Sequence, residues 1–236
     1  VARLEYNVKD ELNRTAPRVM GVLDPLKVVI TNYPEDKVDQ MEIINNPEDE
    51  SMGQRTMPFS REIYIERKDF MVDPPKKYFR MAPGRNTRLK GAYILHCEDY
   101  VKDEATGEIK EVHCTYYPES RSGQDTSGIK AKGTLHWVSI AHARKAEVRL
   151  YDRLFTDPTP DRHEDKDFLE FLNPESLEVL QEAYVEPNVG DLQAGQQFQF
   201  LRMGYYCVDP ESTADHWVFN RTVTLRDTWA KLQKKG

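Results

Sequence analysis

Pro17 divides this 236-residue chain, because the spacing of apolar residues changes there. Before it, Val1, Leu4, Val8 and Leu12 recur every three or four residues. That spacing puts them on one helical face and predicts a helix over residues 1–15. Proline lacks an amide hydrogen and restricts the residue before it, so the helix must stop here. The chain opens inside that helical pattern at Val1, from which we expect a piece of a longer protein. Beyond Pro17 the apolar pattern becomes short and two-fold. Residues 27–33 are β-branched, and Ile63 and Ile65 alternate with polar neighbours over residues 62–66. Residues 91–97 and 111–117 flank the polar turn 103–108, which contains Gly107, and read as a hairpin. Further strands are expected over 134–139, 147–151, around Phe198 and Phe200, and over 217–225. Asn173-Pro174-Glu175-Ser176 reads as a cap and predicts a short helix over 177–183. Residues 227–235 read as a final helical turn or a tail. Residues 119–128 and 157–167 are polar loops. Many short strands with polar turns predict an all-β sandwich or barrel, and the length allows two domains.

Charge narrows the function. The chain carries 33 basic against 40 acidic residues, a formal net charge of −7. Non-specific coating of nucleic acid rests on many cations releasing counterions, and this balance disfavours it. Yet residues 76–90, Lys76-Lys77-Tyr78-Phe79-Arg80 through Arg88-Leu89-Lys90, hold six basic residues and no acidic one. A basic island with two aromatics suits an anion bearing flat rings. Single-stranded RNA fits, since its phosphates take Lys and Arg and its bases stack on aromatic or guanidinium planes. A solvated basic loop is the plainer alternative.

Catalytic patterns are scarce. No Gly-rich phosphate loop and no Gly-x-Ser-x-Gly elbow occurs. His96-Cys97 and His113-Cys114 are adjacent pairs, but strand neighbours point to opposite faces, and zinc wants four ligands. No metal site is assigned. Cys97, Cys114 and Cys207 cannot all pair with one another, so free thiols and a reducing, cytoplasmic setting are expected. The Asn-x-Thr sequences at Asn13 and Asn220 would matter only in a secreted chain. No apolar run is long enough to suggest a membrane span.

Longer phrases carry a family resemblance. Leu12-Asn13-Arg14-Thr15-Ala16-Pro17-Arg18-Val19-Met20 is one, and Leu135-His136-Trp137-Val138-Ser139 another. Arg149-Leu150-Tyr151-Asp152-Arg153-Leu154-Phe155 and the closing 219–231 phrase, Phe219-Asn220-Arg221-Thr222 through Thr228-Trp229-Ala230-Lys231, complete the set. Over nearly its whole length and in order, the chain resembles the C-terminal anticodon-binding half of glutaminyl-tRNA synthetase. The resemblance implies a mainly β fold of two small antiparallel β-barrels after a short N-terminal helix. Residues 1–15 would end a helical connector. Residues 16–122 would form a proximal barrel completed by 213–236, and residues 123–212 a distal one.

The resemblance implies partners too: glutamine tRNA, bound at its anticodon loop, and the enzyme's own catalytic domain. That domain, whose motifs do not occur here, would use ATP with Mg to form glutaminyl-tRNA, so this chain alone should be inactive. The site residues it implies are Arg18, Gln199 and Arg202 at the central uridine and Arg80 at the third base, guanosine. Arg88 and Lys90 would lie near the first base, with Asn13 and Thr228 supporting the loop. Guanine offers a guanidinium two adjacent acceptors, a pairing worth about 1–3 kcal/mol of discrimination. Lys90 stands where the family usually has arginine and Phe79 where lysine is common. The acidic residues 45–50 receive no contact. Gln199 and Arg202 have opposite parity on an ideal strand, so a bend or bulge is expected, with Gly204 its place. Structural roles stay open beside these: Arg18 as a cap, Arg80 in a salt bridge, Gln199 and Asn13 as ordinary polar groups. Other functions also stay open: the equivalent half of a eukaryote-like glutamyl-tRNA synthetase, a protein-docking barrel, and, more remotely, a hydrolase. Trp137, Trp217 and Trp229 read as packing residues.

Overall fold

The structure, a computed structural model, describes residues 2–225. Helix α1 spans Ala2–Thr15 and closes where the amide of Ala16 donates to the carbonyl of Leu12 at 2.9 Å, one residue before Pro17. Its inner face, Val8 and Leu12, packs on Tyr205 and Val223. No helix among the described residues is long and apolar enough to cross a membrane.

The rest is mainly β. Two seven-stranded sheets are accompanied by a two-stranded ribbon of Asp39–Ile44 and Gln54–Phe59. From edge to edge the first sheet runs Thr134–Leu135, Asn86–Leu89, Ile94–Lys102, Ile109–Tyr116, Pro25–Ile30, Glu62–Glu66 and Val138–Ser139. The second runs Arg18–Val19, Gln197–Phe200, Gly204–Val208, Trp217–Thr224, Arg144–Tyr151, Leu177–Val185 and Gly21–Val22.

In each sheet one short segment supplies both edges. Residues 134–139 pair on one side through Thr134–Leu135 and on the other through Val138–Ser139, switching at His136 and Trp137. Residues 18–22 do the same about Met20. Val19 and Gly21 are two Cα steps apart, so the two edges of the second sheet lie within roughly 7.6 Å. Each sheet therefore curls into a barrel whose edges are paired, leaving no long open edge.

The strands divide the chain differently from the sequence expectation. Trp217–Thr224 lies in the second sheet, between Gly204–Val208 and Arg144–Tyr151, and does not complete the first. The reason is packing: Trp217 and Phe219 join Phe198, Phe200 and Tyr206 in the second core. Likewise residues 134–139 close the first barrel, and residues 18–22 close the second. The helix expected over 177–183 is instead the strand Leu177–Val185, paired antiparallel with Arg144–Tyr151. Ladder pairing and the burial of Ala183 and Val185 override the local cap signal. The barrels are not purely antiparallel, since four pairings among the described strands are parallel, including Arg18–Val19 with Gln197–Phe200. The parallel neighbours are brought side by side by long excursions of the chain rather than by hairpins.

Cys97 sits opposite Cys114 with both thiols buried, while His96 and His113 face the other way. No group of three or more metal-ligating side chains occurs among the described residues. Trp137 and Trp217 are core residues, and Trp229 lies outside the described residues.

The second core centres on Phe200, whose ring contacts Tyr206 at 4.3 Å and Phe219 at 5.1 Å between centroids. Phe200→Ala should lower stability by about 3–5 kcal/mol, as for other buried Phe truncations. Tyr151→Ala, at an exposed position, should cost little. Urea denaturation of both variants checks this, and equal midpoints would contradict the assigned core.

Candidate nucleic-acid interface

Barrel closure places Arg18. The strand Arg18–Val19 pairs in parallel with Gln197–Phe200, so Arg18 stands directly opposite Gln199. Both side chains are buried. Arg18 Nη2 donates to the side-chain Oδ1 of Asn13 at 2.8 Å and to its carbonyl at 3.2 Å. Gln199 Nε2 donates to the Tyr205 hydroxyl at 2.9 Å, and that hydroxyl donates to Asn13 Oδ1 at 3.3 Å. Asn13, Arg18, Gln199 and Tyr205 are thus one network that ties the helix end to the second barrel. Burial raises the Tyr205 phenol's pKa, and the nearby positive charge of Arg18 only partly opposes this. Arg18 Nε is buried and makes no hydrogen bond.

Arg202 solves the parity problem differently from the expected bulge. The strand ends at Phe200, and residues 201–203 form the reversal into Gly204–Val208. Arg202 has φ of +67°, a left-handed conformation unusual for any residue other than glycine. The turn swings it across to the first barrel, where Nη1 and Nη2 donate to the two carboxylate oxygens of Asp69 at 2.5 and 2.8 Å. Gly204 follows the turn; a Cβ there would sit 2.8 Å from the carbonyl of Val223, so glycine serves the close strand approach.

Asp69 is fully buried and also holds Arg80, whose Nη1 lies 3.0 Å from Oδ1. Arg80 further donates to the carbonyl of Lys68 at 3.3 Å. Two guanidiniums 122 positions apart in sequence therefore share one carboxylate, and the cluster retains positive charge. Arg80 does form the salt bridge left open as its structural role, while remaining more than a third exposed.

Beside Arg80 is an open pocket of about 320 Å³. Its lining carries Lys76, Arg80, Arg85, Lys130 and Lys132, with Tyr78 and Phe79 and no acidic residue. Lys132 Nζ sits 5.5 Å from the centre of the Phe79 ring. Gly133 makes this closeness possible, because a Cβ there would fall 1.7 Å from the carbonyl oxygen of Phe79. Burial raises the Tyr78 pKa to about 12; Asp69 adds to the rise, and Arg80, Arg202 and Arg85 oppose it. Such a pocket can take an anion and stack a planar ring.

The other expected residues lie less together. Arg88 is on Asn86–Leu89, and its amide bonds to the carbonyl of Gly133, but its guanidinium turns to the 120–125 loop. There it donates to the Ser120 carbonyl at 2.9 Å, to Ser122 Oγ at 3.2 Å and to Asp125. The Asp125 carboxyl is held below its ordinary range by the Ser127 hydroxyl and amide, with Arg88 contributing. Lys90 is exposed, and its side chain makes no hydrogen bond or ion pair among the described residues. Its backbone carbonyl instead accepts from the Trp137 indole at 3.0 Å. Thr228 lies outside the described residues. Sequence reasoning missed Lys130, Lys132 and Asp69. Lys130-Ala131-Lys132-Gly133 carried a usable signal, two lysines in alternation beside a glycine; a lone Asp69 carried none.

The site thus consists of a cationic, aromatic pocket on the first barrel and, beside it, guanidiniums from both barrels on one carboxylate. The chain belongs to the anticodon-binding domains of class I (E and Q) tRNA synthetases: a family profile of that description matches residues 16–117 and a second matches residues 134–209. It is similar to glutamine–tRNA ligases. That of Rhodopirellula baltica is 54% identical over all of this chain and 39% of its own length. Those of Bradyrhizobium diazoefficiens and Clostridium perfringens are 48% and 49% identical, over 100% and 96% of this chain and 42% and 41% of their own lengths. The chain spans about two fifths of the length of these relatives.

Asn13→Ala should strand the Tyr205 hydroxyl donor and leave Arg18 Nη2 only its longer bond to the carbonyl of residue 13, at a cost of about 1–3 kcal/mol. Denaturant unfolding measures this. Asn13→Asp, which keeps the acceptor, should lose less, and equal losses would contradict the network.

Proposed function

We propose that this chain is the anticodon-binding region of a glutamine–tRNA ligase and reads the anticodon loop of glutamine tRNA. One observation carries the reading. The residues implied by the family resemblance come from separate stretches of the chain, yet Arg18 meets Gln199 in register and Arg80 meets Arg202 on one carboxylate. Chance placement of core and loop residues gives no reason for these two pairings, one of which borders a cationic pocket through Arg80. On this reading Arg18, Gln199 and Arg202 face the central uridine, whose two carbonyls need donors and whose N–H needs an acceptor. Arg80 faces the third base. Lys76, Arg85, Lys130 and Lys132 neutralise phosphates, and Phe79 offers a stacking face. Lys90, whose side chain has no partner among the described residues, supplies a mobile charge near the first base, while Arg88 must exchange its loop contacts to reach RNA.

Ligation itself we assign to the part of the enzyme outside this chain. That part would bind glutamine, ATP and Mg and form the aminoacyl bond, with the present barrels docked to it. The cytoplasm is the compartment this role implies.

Binding of tRNA anticodon stem-loops by the full-length protein tests the reading. Changing the central uridine should weaken binding, and changing the third base from G to C should weaken it further. Preference for C at the third position would instead indicate a glutamate-specific enzyme. Binding that ignores both the anticodon and the salt concentration would indicate a protein-docking module. Arg80→Ala should relax discrimination at the third base, a loss of about 1–3 kcal/mol. Lys76→Ala should weaken all stem-loops alike and flatten the salt dependence by about one unit of slope. Identical sequence-independent losses for both would remove Arg80 as a base reader.

A further inference from the structure

We propose that Asp69 is a positioning residue that couples Arg80 to Arg202, so that the second and third anticodon bases are read as one unit rather than independently. The inference rests on the proposed anticodon reading and adds to it a residue that makes no base contact.

The geometry is specific. Asp69 closes the short 3-10 turn Arg67–Asp69 and is fully buried. Its backbone is pinned as well: its carbonyl accepts from the amide of Met81, beside Arg80, at 3.0 Å. Each carboxylate oxygen takes a guanidinium nitrogen of Arg202, in a fork of 2.5 and 2.8 Å, and Oδ1 additionally takes Arg80 Nη1 at 3.0 Å. A bidentate fork fixes the plane of the guanidinium as well as its position. On the other side of Arg202, Nη1 lies 3.3 Å from Nδ1 of the buried His136. Arginine has only donors, so Nδ1 accepts and the ring proton sits on Nε2, which points towards Glu66 Oε1 at 3.7 Å. His136 is the residue at which the closing segment of the first barrel switches edges. Arg202 comes from the turn of the second barrel, so the carboxylate and the imidazole belong to one barrel and the guanidinium to the other.

A single buried carboxylate cannot be left half-paired without a large penalty, because an uncompensated charge in the interior is costly. If one guanidinium turns towards a base, Asp69 must hold the other more strongly. A mismatched base that displaces Arg80 therefore disturbs the plane of Arg202, and the reverse holds too. Coupling of this kind arises where two residues share a partner.

The test is a cycle in the full-length protein, using stem-loops that vary at the second and third anticodon positions, at two salt concentrations. Asp69→Asn keeps the size of the side chain and removes the charge. It should lower discrimination at both positions together, by at least about fivefold each, while the affinity for the cognate loop falls less. Arg80→Lys and Arg202→Lys, singly and together, should show non-additive losses, because each removes part of the same shared arrangement. Loss of discrimination at only one position, equal weakening of every stem-loop, or additive effects of the two lysine variants would overturn the coupling while leaving anticodon reading intact. If Asp69→Asn fails to fold, the lysine cycle decides alone. A wild-type protein that binds every stem-loop equally would overturn both the coupling and the reading beneath it.

Discussion

Everything at the site depends on how the two barrels are closed. A curled sheet with seven strands must either pair its last edge or leave it open to other chains. Here each barrel is closed by a segment of five or six residues that changes edge midway, at Met20 in one and at His136 and Trp137 in the other. A chain that switches edges cannot pair through the switching residues, so their polar groups and side chains must find other partners. Those partners are what build the site. The amide of Met20 donates to the buried carboxylate of Glu186 at 2.8 Å, and the Trp137 indole donates to the carbonyl of Lys90. His136 turns to Arg202. Closing the barrels and placing Arg18 and Arg202 are therefore linked, because the closing segments supply Arg18 itself and the His136 that Arg202 meets.

The junction between the barrels is unusually ionic for an interior. Glu66, Asp69 and Glu186 are all buried. Two of them satisfy the backbone of the passage from one barrel to the other: Glu186 at Met20, and Glu66 at the amide of Leu23, at 2.6 Å. Glu186 is in turn paired with Arg55, and Arg55 Nη1 donates to Asn45 Oδ1 at 2.9 Å, while the amide of Arg18 donates to the carbonyl of Asn45 at 2.6 Å. Replacing such groups by apolar ones of similar size is often neutral for stability, whereas removing one partner is severe. Buried ion pairs are a poor source of stability but a good source of fixed geometry, because a charge that cannot move to water holds its partners in place. The junction has the second property, and the guanidiniums that line it inherit their orientation from it.

What could be read beforehand follows from the range of each interaction. Helix α1, the hairpin of Ile94–Lys102 and Ile109–Tyr116, and the core faces of Phe198 and Phe200 depend on local spacing, and they were legible. The strand at Leu177–Val185 was not, because Asn173-Pro174 carries a local cap signal that only the distant ladder to Arg144–Tyr151 defeats. The allotment of 134–139 and 217–224 to barrels was also illegible, since a short alternating strand can pair in either sheet and only long-range packing chooses. At the site, the basic run 76–90 announced itself by charge, and whole phrases tied Arg18, Gln199 and Arg202 to a family. Asp69 had no local mark. Its significance lies in what two distant arginines do around it, and a sequence records that only after folding.

The arrangement also separates strength from specificity in space. Lys76, Lys130 and Lys132 line an open pocket, where water and salt screen them and where a flexible ammonium suits a phosphate that need not be held in one orientation. Arg18 is buried and Arg202 is exposed, yet both guanidiniums are fixed, by Asn13 and by the Asp69 fork, so each is held in one orientation. Arg80 stands at the border, one nitrogen on Asp69 and its side chain still open to the pocket. In a chain of net negative charge this layout has a direct consequence. Repulsion from the acidic remainder opposes binding elsewhere, so on the proposed function the pocket's lysines would gather RNA to one place and the fixed guanidiniums would select among RNAs.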